Sequence, residues 1–390
     1  MIQDQANVEF ITACADAAIA AGLQCFQCLA RRMSGCYPET LLAVCLSKGL
    51  TLEPCEWHAL ERGWDVPLAS SPFPHVVDGD WRYSRPTASK LLDLVVRNVG
   101  KHATCVHIGS PSTYRAALSA YPEAGKHILH DRNAFLHDPN ATVMLDGGAT
   151  ADAAILDPPW YPDDTLTFLR VAAGALRDDA LVLLAQPGRL TRPNVEQERE
   201  TILEGATAFG YAWIHTLPDY VRYEMPHFEF VTLRRTIDQR VPADWRTGDL
   251  LLLRFDSAED RLSGEELPSQ GGGERWADVS LGPVRYKYRR TETSDTLGCL
   301  TSDGMARTVS RRDPLRPSVG VWSTGNRIYT CGNPAAFLHT IHRLNRHLLR
   351  AEFTQPNVVS ALQDCHLSED GKQSTAQTII GDVMEHLQHA

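Results

Sequence analysis

A short apolar run that ends in a carboxylate and two prolines constrains the fold of this chain more than any other stretch. Residues 153–156 are Ala, Ala, Ile and Leu, and Asp157, Pro158, Pro159 and Trp160 follow them. Proline has no N–H with which to continue a strand ladder, so the pattern predicts a buried strand that stops abruptly and turns. The turn brings together an acidic side chain, backbone carbonyls and a flat aromatic ring.

Strand-like and helix-like segments alternate on both sides of this turn. Apolar or β-branched runs predict strands at residues 104–108, 127–131, 141–145 and 180–185. Helical patterns lie between and after them, at residues 116–120, 165–176 and 193–209. This alternation predicts a mainly parallel, doubly wound sheet of the α/β class. Two further strands are expected at residues 211–216 and 228–233.

Composition narrows the class of protein. The chain has 390 residues, 43% of them hydrophobic, which is enough for a large core. It has no apolar stretch of about 18 residues, so no membrane association is expected, and its first residues lack the basic region of a signal peptide. Ten scattered cysteines suit the reduced thiols of a cytoplasmic protein better than a disulfide framework.

The sequence divides into four regions. Residues 1–79 are expected to form a helical N-terminal region, and residues 80–257 the α/β core. Residues 258–275, which include three consecutive glycines, indicate a flexible linker. Residues 276–390 are expected to form a basic, β-rich region with C-terminal helices.

The spacing of Cys25 and Cys28 in the first region raises the question of a metal site. Both lie within residues 8–33, which the sequence predicts to be one helix, followed by a second helix at residues 37–47. Structural zinc ligands usually stand on turns and come with a second close pair, which is missing here. Buried thiols are therefore expected, and no metal is predicted.

Charge is distributed unevenly along the chain. The whole chain carries a net charge of −10, yet residues 273–350 contain 13 Lys and Arg against 6 Asp and Glu. Arg285, Lys287 and Arg289 alternate with tyrosines and are expected to contact a phosphate backbone or an acidic protein partner. The alternative interpretation is that these basic residues only form the solvated face of a β-sheet.

The turn after residue 156 has the groups needed to alkylate an amino nitrogen. An aromatic NH₂ is a poor nucleophile because its lone pair is delocalised into the ring. Acceptance of both hydrogens, by Asp157 and the Pro158 carbonyl, would pull the nitrogen towards a pyramidal shape, while Trp160 stacks on the base. A turn that only ends a strand, without chemistry, is the alternative.

The Asp157-Pro158-Pro159-Trp160 stretch resembles the motif of the S-adenosylmethionine-dependent amino-methyltransferases, and its form is most similar to the N6-adenine group. The resemblance implies a Rossmann-like class I methyltransferase core, with antiparallel pairing of the last two strands at one edge. It also implies S-adenosyl-L-methionine as the cofactor, these four residues as the catalytic motif and DNA or RNA as the substrate. In a duplex the base would have to be flipped out.

Cofactor contacts are expected at the ends of the first two core strands. Gly109, Ser110, Pro111 and Ser112 form a glycine turn into a helix, where doubly wound folds bind nucleotides. The family commonly has Gly-x-Gly there, so Gly-Ser-Pro-Ser departs from its pattern. The remaining expected cofactor contacts are Asp131 for the ribose hydroxyls, its neighbour Arg132, Asp157 and, by resemblance, Thr87. A loop or helix-cap role is the alternative for Asp131 and Thr87.

Two predicted loops, residues 186–192 and 220–227, contain arginines or aromatic residues and lie on the same side of the sheet as the Pro-Pro turn. Phosphate pairing and base stacking are expected from Trp160, Tyr161, Arg189, Arg192, Arg222 and Tyr223. Solvated loop charges are the alternative. The chain is therefore predicted to be an N-methyltransferase that acts on nucleic acid, as a possible homodimer or with a partner subunit. A protein-lysine or small-molecule amine methyltransferase and a non-catalytic, methyltransferase-like nucleic-acid-binding subunit stay open.

Overall fold

A computed structural model of the chain shows two compact units. It describes residues 5–23, 25–49, 74–120, 125–131, 151–237, 241–256, 276–282, 284–289, 301–305, 319–330 and short helical pieces between 337 and 384. The first unit comprises residues 1–62, 81–225 and 236–268, and the second comprises residues 63–80, 226–235 and 269–390. Among the described residues, no helix is both long enough and apolar enough to cross a membrane.

Seven strands form the sheet of the first unit, in the order β1-β6-β7-β5-β4-β2-β3. Their bounds are β1 (Arg82–Tyr83), β2 (Cys105–Ile108), β3 (His127–His130), β4 (Ala151–Leu156), β5 (Leu176–Pro187), β6 (Tyr211–Glu224) and β7 (Thr247–Phe255). β3, β2, β4 and β5 run parallel, whereas β7 is antiparallel to both of its neighbours, β5 and β6. The predicted α/β class is confirmed.

Helices cover both faces of this sheet. They are α4 (Arg85–Asn98), α5 (Pro111–Ala120), α6 (Pro162–Ala173) and α7 (Val195–Ala208). Val106 and Ile108 of β2 belong to the core that includes Leu169 of α6, and Cys105 belongs to the opposite core with Leu91 of α4. The central strands are apolar on both faces because neither face meets water.

The N-terminal region contains two helices where the sequence predicts one. α1 (Gln5–Ala20) and α2 (Phe26–Arg32) replace the single helix at residues 8–33. Gly22 adopts a φ of +97° after α1, and Cys25 then caps α2 because its Sγ accepts the Cys28 N–H at 3.3 Å. α3 (Pro38–Ser47) follows as expected, and α1 to α3 share an apolar core.

One predicted strand is wrong. Residues 228–233 lie in α8 (His227–Thr236), and the antiparallel partner of β6 is β7 instead. Phe228, Val231 and Thr232, spaced three and four residues apart, are all buried, which is the pattern of a helix face. The predicted strand at residues 141–145 and the linker at 258–275 lie outside the described residues.

A five-stranded antiparallel sheet forms the second unit, in the order β10-β12-β11-β9-β8, so the predicted β-rich C-terminal region is confirmed. Its strands are β8 (Trp276–Leu281), β9 (Val284–Arg289), β10 (Thr301–Met305), β11 (Val321–Ser323) and β12 (Arg327–Thr330).

Two basic and two acidic side chains form a buried cluster in this unit. The side chains of Arg285 and Lys287 are 4% and 9% exposed. Arg285 pairs with Asp78 at 2.8 Å and with Asp278 at 2.7 Å, and Lys287 pairs with the same two carboxylates at 2.7 and 3.1 Å. Burial alone would raise the pKa of Asp78, but the charges of Arg285 and Lys287 outweigh it and hold that pKa below its usual range.

We expect Asp78→Asn to lower the free energy of unfolding of the second unit by about 3 kcal/mol at neutral pH, because it leaves buried cations underpaired. A carboxyl with a lowered folded-state pKa stabilises the fold above its unfolded-state pKa of about 3.9, and this stabilisation is lost as pH falls through the folded value. Urea unfolding from pH 7 into acid should therefore show the two curves converging. Ser280→Ala, at an exposed position of the same unit, is the control. A difference that stays constant into acid would contradict this assignment.

Candidate functional site

The carboxyl ends of three neighbouring parallel strands meet where the strand order reverses. From β2 the chain passes through α5 to β3 on one side, and it later returns to β4 on the other side of β2. Ile108 is in register with His130 and with Leu156. Gly109, Asp131 and Asp157 therefore follow these strands at the same level, at the kind of switch point where open α/β sheets bind ligands.

The backbone of Gly109 approaches the Asp157 carbonyl closely. Gly109 has a φ of +61°, and a Cβ built on it would lie 3.0 Å from the Asp157 oxygen and 2.7 Å from the Phe168 ring. The Asp157 N–H donates to the Ile108 carbonyl at 3.0 Å, and the Gly109 N–H donates to the His130 carbonyl at 2.9 Å. Glycine is thus required by both conformation and space.

The Gly-Ser-Pro-Ser corner is a well-bonded helix start. Pro111 is the first residue of α5, where a missing N–H costs nothing. Ser110 is buried, and its Oγ lies 2.6 Å from Thr113 Oγ1. Ser112 Oγ accepts the Tyr83 N–H at 3.1 Å, which ties β1 to the corner. The departure from Gly-x-Gly therefore places a helix N-terminus after β2 without a second glycine.

Two buried tyrosines surround the Asp157 carboxylate. The Tyr223 hydroxyl donates to Asp157 Oδ1 at 2.7 Å, and the rings of Tyr83 and Tyr223 lie 4.9 Å apart. Burial, and then the charge of Asp157, raise the pKa of both tyrosines well above the usual range. Both phenols therefore stay protonated, and Asp157 faces hydrogen-bond donors.

The Tyr83 hydroxyl is fully buried beside Tyr223 and Asp157. Burial, the charges of Asp157 and Tyr223, and hydrogen bonds with both groups all raise the pKa of the Tyr83 phenol.

Trp160 does not offer an open stacking face, so its expected role is not supported. Its side chain is buried, at 7% exposed. The Arg246 guanidinium lies 4.4 Å from the Trp160 ring and 4.1 Å from the Trp81 ring, and Tyr223 meets Trp160 edge-on at 5.5 Å. A Cβ on Gly248 would also lie 2.9 Å from the Trp160 ring. The ring packs inside the protein.

The three arginines expected to contact substrate have acidic partners, and Arg222 lies in β6 and not in the predicted loop. Arg192 pairs with Glu198 at 2.5 Å and donates to the Trp160 carbonyl, which fixes the end of the Pro-Pro turn. Its guanidinium also lies 5.4 Å from the ring of Tyr161. Arg189 pairs with Glu196 at 3.3 Å and covers a phenylalanine ring, and Arg222 pairs with Asp244 at 3.2 Å.

Thr87 is buried in α4, and the helix-cap role that was its alternative falls to another residue. Ser84 caps α4, and Thr87 Oγ1 accepts hydrogen bonds from the Ser84 hydroxyl at 3.0 Å and the Arg222 N–H at 3.1 Å. Thr87 thereby joins α4 to β6. Asp131 is half-buried immediately after β3, and Arg132 lies outside the described residues.

The prediction that three basic residues of β9 form a contact surface is wrong for two of them. Arg285 and Lys287 are buried and neutralised by Asp78 and Asp278, so they cannot contact a phosphate backbone. Arg289 is half-buried, and its guanidinium lies 5.2 Å from the Trp276 ring.

Sequence reasoning missed Tyr83 and Arg246 as site residues. Tyr83 lies in an aromatic-rich stretch of the sequence, but nothing local marks its contact with Tyr223. Arg246 follows a tryptophan in the sequence, yet it packs on Trp81 and Trp160 instead. The pairing of β6 with β1 on one side and with β7 on the other brings these segments together.

No protein-family model matches the sequence, and no curated protein matches it. Among solved structures, the chain is similar to the branched-chain polyamine synthase from Thermus thermophilus, with 12% identity, a TM-score of 0.45, and coverage of 67% of this chain and 91% of the other. It is also similar to a 16S rRNA (adenine(1408)-N(1))-methyltransferase variant from Catenulisporales acidiphilia, with 13% identity, a TM-score of 0.27, and coverage of 43% and 93%. Values this low support no conclusion about activity.

We expect Gly109→Ala to destabilise the first unit more than Gly49→Ala. Gly49 has a φ of +66°, close to the +61° of Gly109, but a Cβ there meets nothing within 4 Å. The backbone cost should be about 1–2 kcal/mol for both variants, and the clash with Phe168 and Asp157 should add about 1–3 kcal/mol for Gly109→Ala. Urea unfolding measures both. Equal losses would show that the close approach does not exist in solution.

Proposed function

We propose that this chain is a transferase that uses S-adenosyl-L-methionine to methylate an amino nitrogen. One observation carries the proposal. The Asp157 carboxylate lies at the switch point of the sheet, after β4, with the Gly109 corner beside its backbone and the Tyr223 hydroxyl on one oxygen. Methyl transfer to an amine needs an acceptor for amine hydrogens beside a nucleotide-binding corner, and this arrangement supports the proposal.

The residues at the three strand ends suit the proposed cofactor. Asp131 would accept the ribose hydroxyls, and the corner from Gly109 to Ser112 would hold the nucleoside side. When bound, S-adenosylmethionine supplies an electrophilic methyl group on its sulfonium. The Gly-Ser-Pro-Ser corner accepts this role because its backbone is held without a second glycine.

Asp157 would orient the amine and take its proton. An ionised carboxylate has about four acceptor positions, and Tyr223 uses one of them. The bond from Tyr223 fixes the carboxylate plane, so another position can accept an N–H of the substrate, with the Pro158 carbonyl as the second acceptor. The methyl carbon would leave the sulfonium sulfur, which keeps the electron pair as a thioether, and the excess proton on nitrogen would pass to Asp157 or to water.

Adenine N6 in DNA or RNA is the substrate that the form of the Asp-Pro-Pro-Trp motif favours. Two observations favour a second candidate, an amine on a small molecule or a protein lysine. The Trp160 ring is covered by Arg246, so it offers no platform for a flipped base. Arg189, Arg192 and Arg222 pair with carboxylates, which partly neutralise the charge that would attract a phosphate backbone.

Incubation with methyl-labelled S-adenosylmethionine and separate pools of DNA, RNA, protein and spermidine tests the reaction and the substrate class together. Label in one pool, located by mass spectrometry of the product, would identify the substrate. Binding of the cofactor with no label in any pool would favour a non-catalytic binding subunit. Absence of cofactor binding in calorimetry would contradict the proposal.

We expect Asp157→Ala to lower the transfer rate by at least about 10²-fold, because it removes the acceptor of the amine hydrogens. Tyr223→Phe should lower the rate by about tenfold, because it removes only the hydrogen bond that positions this acceptor. Calorimetry should show that both variants bind S-adenosylmethionine within about threefold of the native affinity, a difference of under about 1 kcal/mol. Asp163→Ala, an exposed acid in the same region, is the control. Loss of binding in Asp157→Ala would instead place Asp157 in the cofactor site.

A further inference from the structure

Three potential metal ligands lie together at the amino ends of β2 and β3. Cys105 and His107 are two residues apart on β2 and share one face of the sheet. His127 opens β3 and is in register with Cys105. Cys105 and His127 begin β2 and β3, whereas His107 is two residues before Gly109 and contacts Thr113 behind the glycine corner.

The ligand atoms of this cluster are already close. One ligand atom from each of the three residues lies within 4.8 Å of the others. His107 Nε2 and His127 Nδ1 are 3.1 Å apart. Two nitrogens bound to one tetrahedral zinc ion at about 2.0–2.1 Å are separated by about 3.3 Å, so this distance changes by only a few tenths of an ångström. Each ring also turns, so that its lone pair points to the ion and not to the other ring.

Hydrogen bonds hold His107 in the orientation that a metal ligand needs. The Thr113 hydroxyl donates to the Ser110 carbonyl at 2.9 Å, and Thr113 Oγ1 lies 2.8 Å from His107 Nδ1. We therefore assign the His107 proton to Nδ1, where it is donated to Thr113. Nε2 then has its lone pair directed at His127. A ring nitrogen that donates to an oxygen while the other faces the metal is the usual arrangement of metal-binding histidines.

We propose that Cys105 Sγ, His107 Nε2 and His127 Nδ1 bind one divalent transition-metal ion of the zinc type. A thiolate with two imidazoles suits Zn²⁺ or Co²⁺, whereas Mg²⁺ and Ca²⁺ prefer oxygen ligands. His127 is only half-buried, so the ion has a path from solvent, and water can take the fourth position. The ion replaces the hydrogen bond between the two rings.

Proton balance is simple in this site. Metal binding releases the Cys105 thiol proton to solvent. The His127 ring loses its proton from Nδ1 and takes one up at Nε2 from solvent, so its proton count is unchanged. The bound ion would join β2 to β3 and stabilise this side of the sheet.

Cobalt titration of the full chain after chelator treatment tests the site. One equivalent of Co²⁺ should produce a thiolate-to-cobalt charge-transfer band and the visible absorption of a tetrahedral site, and Zn²⁺ should displace it and raise the melting temperature. His127→Gln should weaken binding by at least about tenfold, and Cys105→Ala should abolish the charge-transfer band. Cys45→Ala, a buried thiol, and His215→Gln, an exposed histidine, are the matched controls and should bind as the native chain does.

Other thiols in the chain can also bind cobalt, so the comparison between the native chain and the variants decides whether the site exists. Equal cobalt affinity and stoichiometry in the native chain and in His127→Gln, or a charge-transfer band that survives Cys105→Ala, would overturn it. Circular dichroism checks that each variant is folded. His127 is half-buried, so His127→Gln should disturb the fold less than Cys105→Ala. It therefore still tests the site if Cys105→Ala fails to fold.

Discussion

The close approach of the Gly109 backbone to the Asp157 carbonyl is the constraint on which the site depends. The register of β2 with β4 sets this approach, and only a residue without a side chain permits it. The Pro-Pro turn then leads away from the sheet, so the Asp157 side chain meets Tyr223 from β6. The Gly109 corner and the Asp157 carboxylate become neighbours because β2 and β4 lie side by side.

A layer of aromatic residues supports the carboxylate from the other side. Tyr83 packs on Tyr223, Tyr223 meets Trp160 edge-on, and the Arg246 guanidinium fills the space between Trp160 and Trp81. A cation between two indole rings is favourable, and it also closes the face that a substrate base would need. Asp157 is thus held firmly, at the cost of a stacking platform.

Local patterns predicted the parts of the fold that local physics decides. The strand before Asp157 was predicted because an apolar run that ends in two prolines has few other structures available. Residues 228–233 were predicted wrongly because a short aromatic and β-branched run fits a strand or a helix face equally well. The burial of Arg285 beside Asp78 and the cover of Arg246 on Trp160 were not predictable, since both join segments far apart in the sequence.

The most direct test of the site is a crystal structure of the chain with S-adenosylhomocysteine, the product form of the proposed cofactor. We expect its ribose hydroxyls at Asp131, its nucleoside beside the Gly109 corner, and its sulfur facing the Asp157 carboxylate across a space that accommodates an amine. A ligand that binds elsewhere, or a crystal soaked at high concentration that shows no ligand at these strand ends, would contradict the proposed transferase.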